Sequence, residues 1–121
     1  MRTPQKFVIQ KHTKEHQPTH WDLMLQGKDT LQTYRLQLPP EKLKQKNTII
    51  KISDHPLKFL TYQGPVNKGL GCVQIADCGT YELLNETENS KKFQFNGNTL
   101  KGIFTMTHIE ADNWELAKPE S

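Results

Sequence analysis

Two short segments, FVIQKH at 7–12 and HWDLMLQ at 20–26, alternate in a way that suits extended backbone. Strand side chains change face at every residue. The second segment then puts Trp21, Leu23 and Leu25 on one wholly apolar face, and His20, Asp22 and Met24 on the other. In the first, Val8, Gln10 and His12 share a face. A polar loop joins the two segments. Laid side by side, they bring His12, His20 and Asp22 to one point.

Two imidazoles and a carboxylate form a donor set suited to Zn, Mn or Fe. Three protein ligands leave positions open for water or substrate, as catalytic rather than closed structural sites do. The alternative is a pair of surface histidines on a polar hairpin. The H-x-D face weighs against it, because burying both groups unpaired is costly. His16 is a second candidate ligand, four residues before His20 and so suited to pairing with it on a helix. Pro18 lies between them and opposes a continuous helix, so His12 is preferred.

The rest of the chain reads as further strands. A turn at 27–29 leads to a strand at 31–38, stopped by Pro39-Pro40. Residues 41–47 make a polar link with room for one helical turn, and 48–53 are β-branched strand. Asp54-His55-Pro56 predicts a sharp corner, since the residue before proline avoids the helical region. Extended structure resumes at 57–62, and 63–71 is a glycine- and proline-punctuated loop. Strands at 72–76 and 80–84 flank a turn at 77–79, and strands at 92–95, 100–108 and 114–118 follow. Short strands at near-regular spacing with little helix predict an all-β barrel or sandwich, one domain over 1–121. The tail at 119–121 is expected to fray.

Composition narrows the classes further. A chain of 121 residues holds one modest core. It lacks an apolar run long enough to span a bilayer, and its start lacks the apolar core of a signal peptide. A cytoplasmic location with no membrane association is the expectation. The net charge of +3 permits a polyanionic partner without demanding one. Cys72 and Cys78 are expected to be reduced, buried thiols; a zinc role with His108 matches no common spacing. Lys42, Lys44, Lys46, Lys51, Lys58 and Lys68 suit either a phosphate-contacting rim or a solvated edge that resists sheet pairing. Trp114 and Tyr34 fit base-stacking platforms and core positions equally well, whereas Trp21 shares the apolar face of Leu23 and Leu25 and fits the core.

Several motifs in one order carry a family resemblance. FVIQKH at 7–12, HWDL at 20–23 and DHPL at 54–57 resemble the 3'-phosphoesterase domain of bacterial DNA ligase D. The loop from Gln63-Gly64 to Gly71 is similar to that family's glycine-rich loop, though shorter. CGTYE at 78–82 and LKGIF at 100–104 are similar to its later strands. The resemblance runs from about Phe7 to Lys118.

It implies a compact single-domain β-barrel with a polar groove. It also implies Mn-dependent trimming of DNA or RNA 3' ends, removing a terminal phosphate or ribonucleotide in repair. The metal ligands would fall on His12, His20 and Asp22, with Mn2+ expected and Zn2+ or another divalent transition metal possible chemically. Gln10 would contact the reacting phosphate or its water. His55 would lie beside the phosphate, as a phosphate ligand or proton donor; its alternative is a corner histidine before Pro56. A stand-alone monomer would work by itself or with a separate repair ligase or polymerase.

The chain departs from the family at several places. Met24 stands where the family has an arginine able to clamp a phosphate oxygen. Phe59 stands where it has a tyrosine, and Tyr62, at odd spacing on an extended strand, would face away. Leu38 is near the place of a family lysine, and the loop from His12 to His20 is two residues longer than usual. Arg35 is a candidate substitute cation for phosphate binding. Transition-state donors of this kind are each worth roughly 3 kcal/mol. Three readings therefore follow: an active 3'-phosphoesterase, a metal- and end-binding module with little turnover, or a hydrolase of a smaller phosphoester.

Overall fold

Alternation along the chain produces nine strands in the computed structural model, which describes residues 4–119. They are β1 (Gln5–Lys14), β2 (His20–Gln26), β3 (Thr30–Leu36), β4 (Lys46–Pro56), β5 (Gly64–Val66), β6 (Gly71–Glu86), β7 (Ser90–Gly97), β8 (Lys101–Glu110) and β9 (Asn113–Ala117). The sheet order is β1-β2-β3-β4-β9-β8-β7-β6-β5, and β1 also pairs with β6. That last pairing closes eight antiparallel strands into a barrel, and β5 lies on β6 outside the ring. Closure removes the unpaired edges that an open sheet would expose. Three single 3-10 turns, Pro40–Lys42, Leu57–Leu60 and Asn67–Gly69, are the helical elements among the described residues. Among the described residues no helix is long and apolar enough to cross a membrane. The expected tail falls partly on residues 120–121, which lie outside the described residues.

The barrel is filled by the inward face of each strand. Phe7 and Ile9 of β1, Leu23 and Leu25 of β2, and Tyr34 and Leu36 of β3 meet Phe93, Phe95, Phe104, Met106 and Leu116 there. Phe95 takes Phe7 edge-on at 5.2 Å and Phe104 at 5.8 Å between ring centroids, the geometry aromatic quadrupoles favour. Each such side chain stabilises the fold by about 1.5–3 kcal/mol on burial. Tyr34 is buried here, and Trp114 packs against it at 5.8 Å, so both serve the core rather than a stacking platform. Desolvation pushes the Tyr34 hydroxyl up to about 12. Trp21 packs on the same core, as its face predicts.

A second, smaller core lies on the outside of the barrel. Val8, Met24 and Leu31 point outward from β1, β2 and β3, and Phe59, Leu60 and Ile75 cover them. The Leu57–Leu60 turn is therefore a lid strapped across three strands. Extended structure was the expectation for 57–62; a 3-10 turn stands there instead.

Two further departures are β-bulges that the sequence presents as turns. The predicted turn at 77–79 is the middle of one long strand, β6. Ile9 pairs with Asp77 and Gln10 with Ile75, leaving Ala76 as an extra residue. An extra residue shifts the alternation by one. Val73 and Ile75 consequently face outward, while Asp77 and Tyr81 serve the inner side. The predicted corner at Asp54-His55-Pro56 is likewise strand: Thr33 pairs with Ile52 and Leu31 with His55, so β4 carries one residue more than β3 over that step. Cys72 is half-buried and Cys78 exposed, both unpaired, which corrects the expectation of buried thiols.

Asp77 shows what the first bulge achieves. Its buried carboxylate accepts from the backbone N–H groups of Asn98 at 2.9 Å, Thr99 at 3.2 Å and Leu100 at 2.7 Å, pinning the β7–β8 turn. β6 and β7 come together here at Gly79 opposite Gly97. A Cβ on Gly79 would collide with the Asn96 carbonyl, so no larger residue fits without moving β7. Gly79→Ala is expected to lose about 2–3 kcal/mol of stability. Denaturant unfolding reads this directly, and a variant within about 0.5 kcal/mol of wild type contradicts the close approach.

Candidate metal centre

The outward face of β1 and β2 carries the predicted cluster. The strands pair with His12 opposite His20 and Gln10 opposite Asp22, so the register sets both imidazoles and the carboxylate side by side. His12 Nδ1 lies 3.0 Å from His20 Nε2, and His20 Nε2 lies 3.5 Å from Asp22 Oδ2. Among the described residues these three form the one group of histidine, cysteine and acidic side chains close enough to share an ion. Ligands about 2.1 Å from a common ion stand roughly 3.0–3.4 Å from each other, so the spacing suits such a group. His12 Nε2 is buried with no hydrogen-bond partner. It is sealed by Gly71 of β6, where a Cβ would come within 3.0 Å of that nitrogen.

Burial favours the neutral form of both rings. Burial is the largest influence on both His12 and His20 and holds each imidazole below its ordinary value of 6.5; Asp22 opposes this, and Arg35 adds to it. Neutral rings with available lone pairs are the state a metal requires. The close His20–Asp22 contact is therefore, at neutral pH, an imidazole beside a carboxylate rather than an ion pair. The other oxygen of Asp22, Oδ1, accepts from Arg35 Nε at 3.5 Å. Asp22 is thus divided between the imidazoles and a guanidinium.

His16 stands apart from this group. It sits at the tip of the β1–β2 loop with a φ of 62°, and its ring is 88% exposed beside Glu15. Loop length does not disturb the register below it, so the two additional loop residues leave His12 opposite His20.

The groove beside the trio is lined by Gln10, Arg35, His55, Phe59, Val66 and Val73, and encloses about 260 Å³. His55 reaches it because of the β4 bulge; unbroken alternation from Ile49, which faces the core, would have turned it inward. Its Nδ1 lies 3.0 Å from the Ser53 carbonyl and 3.0 Å from Thr33 Oγ1. The carbonyl can only accept, so Nδ1 carries the proton and donates, and Nε2 is the nitrogen left for chemistry. Asp54 takes no part: it accepts from Thr30 Oγ1 at 2.7 Å and pairs with Lys51 at 3.3 Å.

Gln10 is buried, and its Nε2 donates to the carbonyls of Phe59 and Tyr62, both at 2.9 Å. Reversing the amide would set its oxygen against two carbonyl oxygens, so the orientation is fixed. Only Oε1, an acceptor, remains for a ligand. Sequence reasoning missed this strap because it depends on the 3-10 turn. The chain turns at Leu57–Leu60 and Thr61 instead of running extended, so Phe59 and Tyr62 stand 5.6 Å apart between ring centroids. Thr33, the buried partner of His55, was also missed; its place opposite Met24, on the outward face of β3, was the available signal.

Comparison with known proteins agrees with the motifs. A family model described as DNA Ligase D 3'-phosphoesterase domain matches residues 10–108. The multifunctional non-homologous end joining protein LigD of Mycolicibacterium smegmatis is 26% identical over 124 residues, covering 90% of this chain and 16% of that protein. Its counterpart in Mycobacterium bovis is 27% identical over 116 residues, covering 89% of this chain and 15% of that protein. The non-homologous end joining DNA repair protein LigD of Mycobacterium tuberculosis H37Rv gives the same figures, 27% over 116 residues with 89% and 15% covered. The chain therefore spans about a sixth of the length of these relatives.

The lowered imidazole values have a measurable consequence. In the unfolded chain both rings take up protons near 6.5, while in the folded chain they resist until the pH is lower. Over that interval the unfolded state binds more protons, so metal-free stability falls as pH drops from about 6.5 toward 5. Metal-free melting temperatures across this range are expected to decline, and to decline less in a His12→Asn, His20→Asn double variant. An equal decline in both proteins excludes these two rings as the cause.

Proposed function

The chain belongs to the DNA ligase D 3'-phosphoesterase domain family, and from that premise we propose that it processes nucleic-acid 3' ends in DNA repair, as a divalent-metal-dependent phosphoesterase removing a terminal phosphate or ribonucleotide. The observation that carries the proposal is the convergence of His12, His20 and Asp22 beside a groove that also holds His55, Gln10 and Arg35. Small-molecule pockets enclose about 300–1,000 Å³. The 260 Å³ here suits a chain terminus that enters end first and leaves the rest of the strand outside.

His12, His20 and Asp22 would hold the ion, Mn2+ by family and Zn2+ equally by donor chemistry. When bound, it supplies a Lewis acid for a phosphoryl oxygen and lowers the pKa of water. The remaining work falls to the chain's own groups. Gln10 Oε1 accepts a hydrogen bond and so orients a water or hydroxyl beside the phosphate. His55, held through Nδ1–H by Ser53 and Thr33, turns Nε2 to the groove; as the neutral ring it accepts a proton there from the attacking water, and only as the imidazolium does it give that proton to the departing oxygen. Phe59 and Val73 form a wall that supplies no hydrogen bond and limits water on that side.

A second reading is favoured by the same wall. Phe59 lacks the hydroxyl of the family's tyrosine, which suits a module that binds metal and ends but turns over slowly. One assay separates the two. Wild-type protein with Mn2+ is expected to release phosphate from a 3'-phosphorylated primer-template, with His20→Ala inactive and His55→Ala slowed by about a hundredfold or more. Mn2+ is expected to raise the melting temperature of wild type and not of His20→Ala. End binding without release supports the second reading. A His20→Ala variant as active as wild type sinks the metal-dependent reaction, and a smaller phosphoester becomes the substrate to test if neither binding nor release is seen.

A further inference from the structure

We propose that Arg35 is the anion anchor of the groove, seizing the terminal phosphoryl group from β3, and that Met24 is a structural residue closed off from it. This rests on the 3'-end reading above and adds a role for a residue on a different strand. Position 24 is where the resemblance places an arginine, yet Met24 is fully buried and packs with Val8 and Leu31 beneath Phe59 and Leu60. It holds the lid down. An arginine there would bury a guanidinium among apolar groups with no partner.

Arg35 occupies the complementary place. It sits directly opposite Asp22, while Met24 sits opposite Thr33 on the same outward face. Positions 24 and 35 are therefore diagonal neighbours, a separation that long side chains span. Arg35 is the one lysine or arginine lining the groove. Its Nε faces Asp22 Oδ1, and among the described residues its two terminal amino groups donate to no protein acceptor. Their open edge is the fork that grips two oxygens of one phosphate. Neighbouring lysines are engaged elsewhere: Lys51 pairs with Asp54 at 3.3 Å, and Lys58 lies over the Phe59 ring at 5.3 Å. The contact with Asp22 gives Arg35 a second effect, because it sets the guanidinium beside the carboxylate of the metal group and fixes the distance between anchor and ion site.

Binding of inorganic phosphate, which cannot be turned over, tests the anchor by calorimetry in the presence of Mn2+. Arg35→Gln is expected to weaken phosphate binding about tenfold to a hundredfold, the loss of a charge-assisted contact, with Arg35→Lys between it and wild type. Mn2+ affinity of Arg35→Gln, titrated separately, is expected to be unchanged or tighter, since a cation beside Asp22 has been removed. Met24→Arg is expected to lower the melting temperature and to leave phosphate binding no tighter. Unaltered phosphate affinity in Arg35→Gln overturns the anchor, as does undetectable binding to wild type. A stable Met24→Arg that binds phosphate more tightly overturns the structural role of Met24. The anchor and the enzymatic reading fail separately. Phosphate held through Arg35 with no release from a 3'-phosphorylated end leaves the anchor and removes the reaction. Turnover by wild type with an unchanged KM in Arg35→Gln does the reverse.

Discussion

One buried amide decides where the second wall of the groove stands. Gln10 Nε2 donates to the Phe59 and Tyr62 carbonyls across about fifty positions of sequence, and both bonds are made in an apolar setting. A buried donor left unpaired costs about 1–3 kcal/mol, so these two bonds are maintained together or lost together with the turn. The lid has few other means of attachment. Its residues span a single 3-10 turn, too short to stabilise itself, and its hold on the barrel is this amide plus the contacts of Phe59 and Leu60 with Val8, Met24 and Leu31. The same glutamine is thereby limited to one role toward a ligand, that of acceptor.

Met24 and Phe59 are better understood together than one at a time. Each replaces a polar residue implied by the family resemblance, and both belong to one apolar cluster on the outside of the barrel. An arginine at 24 would have to thread its long stem out of the apolar cluster beneath Phe59 and Leu60, which Met24 fills. Together Met24 and Phe59 form a packed seam that fastens the lid. Among the described residues, the cationic side chain that lines the groove comes from a neighbouring strand, Arg35 on β3.

Much of this was legible in the sequence, and the limit was alternation itself. The hairpin of β1 and β2 was readable because both strands keep strict period two, and the clustering of His12, His20 and Asp22 follows from that parity with no knowledge of the loop between them. The all-β class followed from strand spacing. Where the phase changes, single-sequence reasoning failed in a consistent way. Asp77-Cys78-Gly79 has the composition of a turn, yet a bulge at Ala76 keeps the strand running and swaps its faces. Asp54-His55-Pro56 has the composition of a corner, yet β4 passes through it. A bulge is fixed by what the partner strand offers, so its position is a property of two distant segments and not of one.

That distinction also explains why the functional residues divide as they do. His12, His20 and Asp22 lie on strands whose phase is unbroken, and they reach the groove by local pattern alone. His55 reaches it only because β4 gains a residue between Ile52 and its pairing with Leu31. Deleting one residue of that bulge would restore regular alternation and rotate His55 toward the barrel interior, while leaving the metal trio untouched. The residue proposed for proton transfer is thus mounted on a bulge, and the group proposed to bind an ion on regular sheet. A scaffold divided in this way lets one be altered without disturbing the other. Apolar residues at 24 and 59 are therefore compatible with the clustering of His12, His20 and Asp22 on the same face.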